Sequence, residues 1–162
     1  MSEYVEYTSF VKRTKKIVND YKGDLDASIL VNCSIGLLFV AKEKYGDILS
    51  KVKNPSTIRQ WGVDVDRISC FKRYNAKTKK VENAPKTLSA LCRHMRNSFA
   101  HCNFKPVNVN HKIIGYKLYD YYLPQGDKNH SIKTFYHEIQ LKELKMFLNQ
   151  VSDYILRNKS IK

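Results

Sequence analysis

The chain has 162 residues, of which 43% are hydrophobic and 27% charged. These are ordinary globular proportions, and they exclude long disorder and collagen-like repeats. Twenty-nine Lys and Arg against fifteen Asp and Glu give a formal charge of +14, which points to a polyanionic partner or to plain solubility. The longest apolar run, Ser28 to Ala41, is bounded by Asp26 and Lys42 and falls short of the roughly 20 residues a bilayer requires.

Residues 2–21 are predicted as a helix, because Tyr4, Tyr7, Val11, Val18 and Tyr21 recur at three- and four-residue steps. Gly23 stops it. Asp24 or Asp26 caps a second helix running to about Tyr45. That helix is apolar nearly all round from Ile29 to Val40, so it belongs in the centre of a bundle. Within it, Gly36 permits a close helix neighbour, and Cys33 reads as a buried thiol.

Residues 46–86 are punctuated by Asn54-Pro55, Gly62, Asn75 and Asn83-Ala84-Pro85. Helical turns are expected around 56–60 and 65–71. The positive charge is concentrated from here on: residues 51–100 carry twelve basic and three acidic side chains, whereas residues 1–50 carry seven of each. The run Lys72-Arg73-Tyr74-Asn75-Ala76-Lys77-Thr78-Lys79-Lys80 reads as an exposed loop, either a solvated linker or an RNA contact. Arg73-Tyr74 would then pair a phosphate ligand with a base-stacking ring.

Residues 87–102 form a helix with Thr87 as N-cap. Leu88, Leu91, Cys92, Met95, Phe99 and Cys102 make its apolar stripe, and Arg93, His94, Arg96, Asn97 and His101 lie opposite. His94 reads as a surface or interface histidine. Changes at His94, Arg96 and His101 are expected to leave folding intact.

After this helix the period changes to two. Val107 and Val109, then Ile114, Tyr116 and Leu118, then Ile132, Thr134 and Tyr136 predict two or three antiparallel strands, with turns at 108–112 and 124–127. Tyr116, Tyr119, Tyr121 and Tyr122 read either as base-stacking rings or, the commoner case, as half-buried strand residues packing on a bundle. His111, His130 and His137 fall in this region and carry no catalytic signal. Leu141, Leu144, Phe147, Leu148, Val151, Tyr154 and Ile155 mark a last helix over 140–157. No internal repeat appears, and residues 1–162 read as a single domain. The cysteines (Cys33, Cys70, Cys92 and Cys102) form no CxxC pair, and the acidic N-terminus lacks an export pattern. A reduced, cytoplasmic protein is expected.

Chemistry concentrates in Arg96-Asn97-Ser98-Phe99-Ala100-His101. This segment resembles the Arg-polar-x-x-x-His motif of HEPN domains (higher eukaryotes and prokaryotes nucleotide-binding). The apolar run 30–38 resembles the second helix of a plasmid-borne HEPN family, in which strands also follow the motif and a final helix closes the chain. The resemblance covers almost the whole chain. It implies a metal-independent endoribonuclease of a toxin–antitoxin or phage-defence type, acting as a homodimer whose two motifs face each other. Some members have instead lost catalysis and serve as nucleotide-binding or assembly modules. Cys102 stands where many relatives carry Gly.

The residue types suit RNA cleavage. The 2′-hydroxyl must lose a proton and the departing 5′-oxygen must gain one, and a histidine performs either transfer near neutral pH. Arginine offers a charged planar fork to the phosphate oxygens. On an ideal helix Arg96 and His101 differ by about 140°, while Asn97 and His101 share a face. This mismatch favours a site shared across a two-fold axis, with the 87–102 helix at the interface. Catalysis is therefore assigned to Arg96, His101 and Asn97, and RNA binding to Lys72, Arg73, Lys77, Lys79, Lys80 and Arg93.

No cofactor or metal is expected. Cys92 and Cys102 are separated by roughly 15 Å of helical rise, too far to share one tetrahedral ion. Asp64 and Asp66 read as turn or cap residues. The expected fold is mainly α, a HEPN-like helical bundle with a small antiparallel β appendage before the last helix. The expected partners are RNA, a second copy of the chain and an antitoxin or nucleotidyltransferase-like protein, with no membrane. The alternatives are a catalytically inactive HEPN nucleotide- or RNA-binding module and a basic helical DNA-binding protein.

Overall fold

The computed structural model describes residues 3–23, 26–124 and 131–158. The first two helices are α1 (Glu3–Asp20) and α2 (Asp26–Leu49). Val11 and Val18 of α1 pack on the apolar α2, whose Leu30, Leu37, Leu38 and Ala41 are buried. Gly36 faces α1 closely: a Cβ there would stand 2.9 Å from the Phe10 ring. At Tyr45 α2 leaves helical geometry (φ −127°) before a last turn to Leu49. Of the two predicted caps, Asp26 opens α2, and Asp24 lies outside the described residues.

A short helix, α3 (Pro55–Gln60), is capped by the Asn54 side chain. A 3-10 turn at Val65–Arg67 is capped by Asp64, which accepts from the Asp66 amide. Then come β1 (Cys70–Asn75), β2 (Lys80–Asn83), α4 (Leu88–Ala100), β3 (Phe104–Val109), β4 (Lys112–Tyr122), β5 (Ile132–Gln140) and α5 (Leu141–Asn158). Of the turn predicted at 124–127, only Pro124 lies within the described residues, and His130 lies outside them.

The strands form one antiparallel sheet in the order β2-β1-β5-β4-β3. The β3–β4 hairpin turns through Asn110 and His111, both at positive φ (49° and 63°), the requirement of a type I′ connection. Alternation sets one row of β4 and β5 against the helices: Tyr116 opposite Ile139, Leu118 opposite His137, Asp120 opposite Phe135. All six are buried. Tyr116 donates to the Ala27 carbonyl (3.1 Å). Tyr119 and Tyr136 pack together on the other face with Lys133 over both rings. Among the described residues no helix is long and apolar enough to cross a membrane.

Five helices and a five-stranded sheet make a mixed α/β fold, which corrects the expectation of a mainly helical bundle with a two- or three-stranded appendage. The missing strands are β1 and β2; the run 72–80 that reads as a loop supplies most of β1, the turn after it and the first residue of β2. Only Phe71 of β1 is buried, so the alternation that announces a strand is hidden by charge. Asn75 builds the turn by accepting from the Lys77 amide (3.0 Å), and Lys79 takes the left-handed backbone (φ 54°) that closes it.

Candidate functional site

Helix α4 organises the site. Thr87 caps its first turn by accepting from Ala90 N (3.3 Å), and Leu88, Leu91, Cys92, Met95 and Phe99 anchor it in the core. His94 and Ser98, one turn apart, widen the buried face. Ser98 donates to the His94 carbonyl (2.8 Å). His94 is only 1% exposed, which corrects the surface reading and argues against its loss leaving folding intact. Its ring lies flat on Phe135 (centroids 5.0 Å, planes 3° apart) and meets Phe71 edge-on.

Four side chains join in one polar network. His94 Nδ1 lies 2.8 Å from Asp120 Oδ2, and Asn97 Nδ2 donates to the same oxygen (3.0 Å). The Tyr121 amide donates to Asp120 Oδ1 (2.9 Å). Arg93 Nη2 stands 3.4 Å from His94 Nε2. A ring protonated on Nδ1 satisfies both contacts. Asp120, 5% exposed, therefore fixes Asn97 and the His94 ring together. Sequence reasoning missed Asp120. The signal was present, since an acidic residue in the inward row 116-118-120 needs a buried partner.

Positive charge accumulates around this network. Burial lowers the Arg93 pKa, Asp120 opposes that shift, and repulsion from Arg73 and Arg96 adds to it. The Arg73 and Arg96 guanidinium groups thus both lie within electrostatic reach of Arg93. Arg96 turns toward Glu43 of α2 (3.8 Å), and its Nε is enclosed without a hydrogen-bond partner among the described residues. An anion placed here relieves the repulsion.

The residues assigned to RNA binding line a set of adjoining clefts. Arg73 and Arg93 border one cleft with Lys42, and Lys77 borders a second with Arg73 at the hairpin tip. Lys72, Lys79 and Lys80 line the largest. A smaller cleft reaches from Lys72 and Arg73 to Arg93, Asn97 and Asp120.

His101 is exposed at the C-cap of α4. Beyond it the chain closes as a Schellman motif: Asn103 N donates to Ser98 O (2.8 Å) and Cys102 N to Phe99 O (3.2 Å). Cys102 takes φ +54° and is exposed rather than part of the stripe. This left-handed position is the one that favours glycine. The structure thus separates the three motif residues. Asn97 is tied to the Asp120 network, Arg96 leans toward α2, and His101 projects past the last turn. No hydrogen bond links Arg96 to His101. Among the described residues no group of three or more His, Cys, Asp or Glu side chains is arranged to hold a metal ion.

No curated protein and no solved structure matches the chain. The family model described as HEPN pEK499 p136 matches residues 1–162, the entire length given. With the Arg96-Asn97-x-x-x-His101 motif ending a helix whose polar face is fixed from the sheet, this match assigns the chain to the plasmid-borne HEPN pEK499 p136 family.

Proposed function

We propose that the chain is a metal-independent endoribonuclease of a toxin–antitoxin or phage-defence type, working on cytoplasmic RNA as a homodimer. The observation that carries this reading is one helix, α4, that holds mutually repelling Arg93 and Arg96, an Asn97 fixed by Asp120, and an exposed His101.

The 2′-oxygen attacks the adjacent phosphorus as its proton passes to a base. The bond from phosphorus to the 5′-oxygen then breaks, and that oxygen takes a proton. His101 carries one of these transfers, its counterpart in a second protomer the other. Arg96 and Arg93 stabilise the charge that builds on the phosphate oxygens. Asn97 orients the phosphate, its own rotamer held by Asp120. The products are a 2′,3′-cyclic phosphate and a 5′-hydroxyl.

One observation favours a second reading, a HEPN module that binds nucleotides without cleaving them. Arg96 already leans on Glu43, so its guanidinium must turn to reach a phosphate. RNA incubated with the purified protein in EDTA separates the two. The ribonuclease reading expects cleavage with those product ends, abolished where the 2′-hydroxyl beside the scissile phosphate is replaced by hydrogen. RNA bound but left intact establishes the binding module instead, and 5′-phosphate ends contradict the mechanism.

A further inference from the structure

Strand β1 pairs with β5 only at Cys70 and Phe71, whereas Lys72 to Asn75 pair with β2 alone. The hairpin therefore peels away from the sheet after Phe71. Its departure opens a groove of about 960 Å³ toward the ends of β4 and β5. Alternation directs Lys72 and Tyr74 into this groove, the turn brings Lys79 and the returning strand Lys80. The Tyr74 ring lies flat against Tyr122 (centroids 4.3 Å, planes 8° apart) and is still 38% exposed. No acidic side chain stands among the described residues lining the groove. Lys72, Tyr74 and Tyr122 also line the smaller cleft that reaches Arg93 and Asn97, so the two adjoin.

We infer that this groove binds a single-stranded segment of the RNA beside the cleaved phosphate, with an unpaired base stacked on Tyr74 and backbone phosphates on Lys72, Lys79 and Lys80. The inference rests on the ribonuclease reading for its substrate and adds a demand for single-stranded RNA. A flat aromatic face flanked by cations suits an unpaired base next to its phosphates. A base inside a duplex keeps both faces stacked and offers neither to a ring. Stacking tolerates any base, so binding here is independent of sequence.

The test is binding of a 2′-O-methyl RNA oligonucleotide, which offers no free 2′-hydroxyl to attack, followed by anisotropy across a salt series. Wild type binds the single strand more tightly than its duplex. Tyr74→Leu weakens single-strand binding about tenfold with the salt slope unchanged. Changing Lys79→Gln and Lys80→Gln together lowers the slope by about 1.4, about 0.7 for each phosphate no longer neutralised. Tyr74→Trp keeps affinity, and its fluorescence falls on binding against a constant background from the buried Trp61. Tyr74→Leu binding like wild type, equal affinity for duplex, or unchanged fluorescence of Tyr74→Trp overturns the inference. Cleavage of unmodified RNA is read separately. Cleavage with Tyr74-independent binding sinks the groove alone, whereas Tyr74-dependent binding without cleavage supports the groove and sinks the ribonuclease reading.

Discussion

Two histidines seven residues apart on α4 meet opposite fates. His94 is enclosed between Phe71, Phe135 and Asp120, whereas His101 stands in solvent past the last helical turn. The middle of the helix is thus a fixed polar assembly packed into the core. Its C-terminal end is free to approach a ligand. Spacing alone does not distinguish them, because both lie on the same side of the helix. The sheet makes the difference, since β4 supplies Asp120 opposite the middle of α4 and nothing comparable opposite its end.

Breaking the enclosed middle produces the largest loss. Asp120→Ala strands the buried His94 Nδ1–H and removes the acceptor of the half-buried Asn97 amide. It is expected to lower unfolding stability by about 3 kcal/mol, as leaving buried polar partners unpaired does. His101→Ala is expected to change stability by less than about 0.5 kcal/mol, the usual range for an exposed site. Urea midpoints of the two variants measure the contrast, and equal midpoints would erase it.

A loss of similar size comes from acid. His137 is buried opposite Leu118, with Nδ1 lacking a partner among the described residues. Burial first, then the Arg67 charge, lowers its pKa to about 4, with Asp64 opposing. The unfolded chain binds this proton near the ordinary pH 6.5, the folded chain only near 4. The His137 contribution is therefore complete above pH 6.5 and disappears as pH falls to about 4, a total of about 3 kcal/mol. His137→Leu should flatten that part of the stability profile, and an unchanged profile would clear His137 of the effect.

The exposed end gives the smallest effect, and it is a gain. Cys102→Gly removes the cost of a left-handed backbone after His101 and should raise stability by about 0.5–1 kcal/mol net of added unfolded-state entropy. A drop in the thermal midpoint would contradict the Schellman geometry.

These contrasts show which signals the sequence carried. Helical periodicity located α1, α4 and α5, a long apolar run located α2, and alternation located β3, β4 and β5, although β3 buries no side chain fully. The hairpin β1–β2 buries only Phe71 fully, so its period of two is lost among Lys72, Arg73, Lys77, Lys79 and Lys80. The motif Arg96-Asn97-x-x-x-His101 was readable at once. The Asp120–His94–Asn97 network was not, because it joins residues 26 and 23 positions apart through a register set by tertiary pairing. The basic stretch was legible as charge. The groove it lines needed the three-dimensional departure of β1 from β5.

The central claim is that the exposed histidine, not the enclosed one, moves protons during RNA cleavage. Its most direct test is the single-turnover cleavage rate of one RNA in EDTA by wild type and by His101→Ala, with urea midpoints confirming equal folding. The expected result is a rate lower by about a hundredfold or more, the usual worth of general acid–base catalysis. Cleavage by His101→Ala at the wild-type rate would contradict the account.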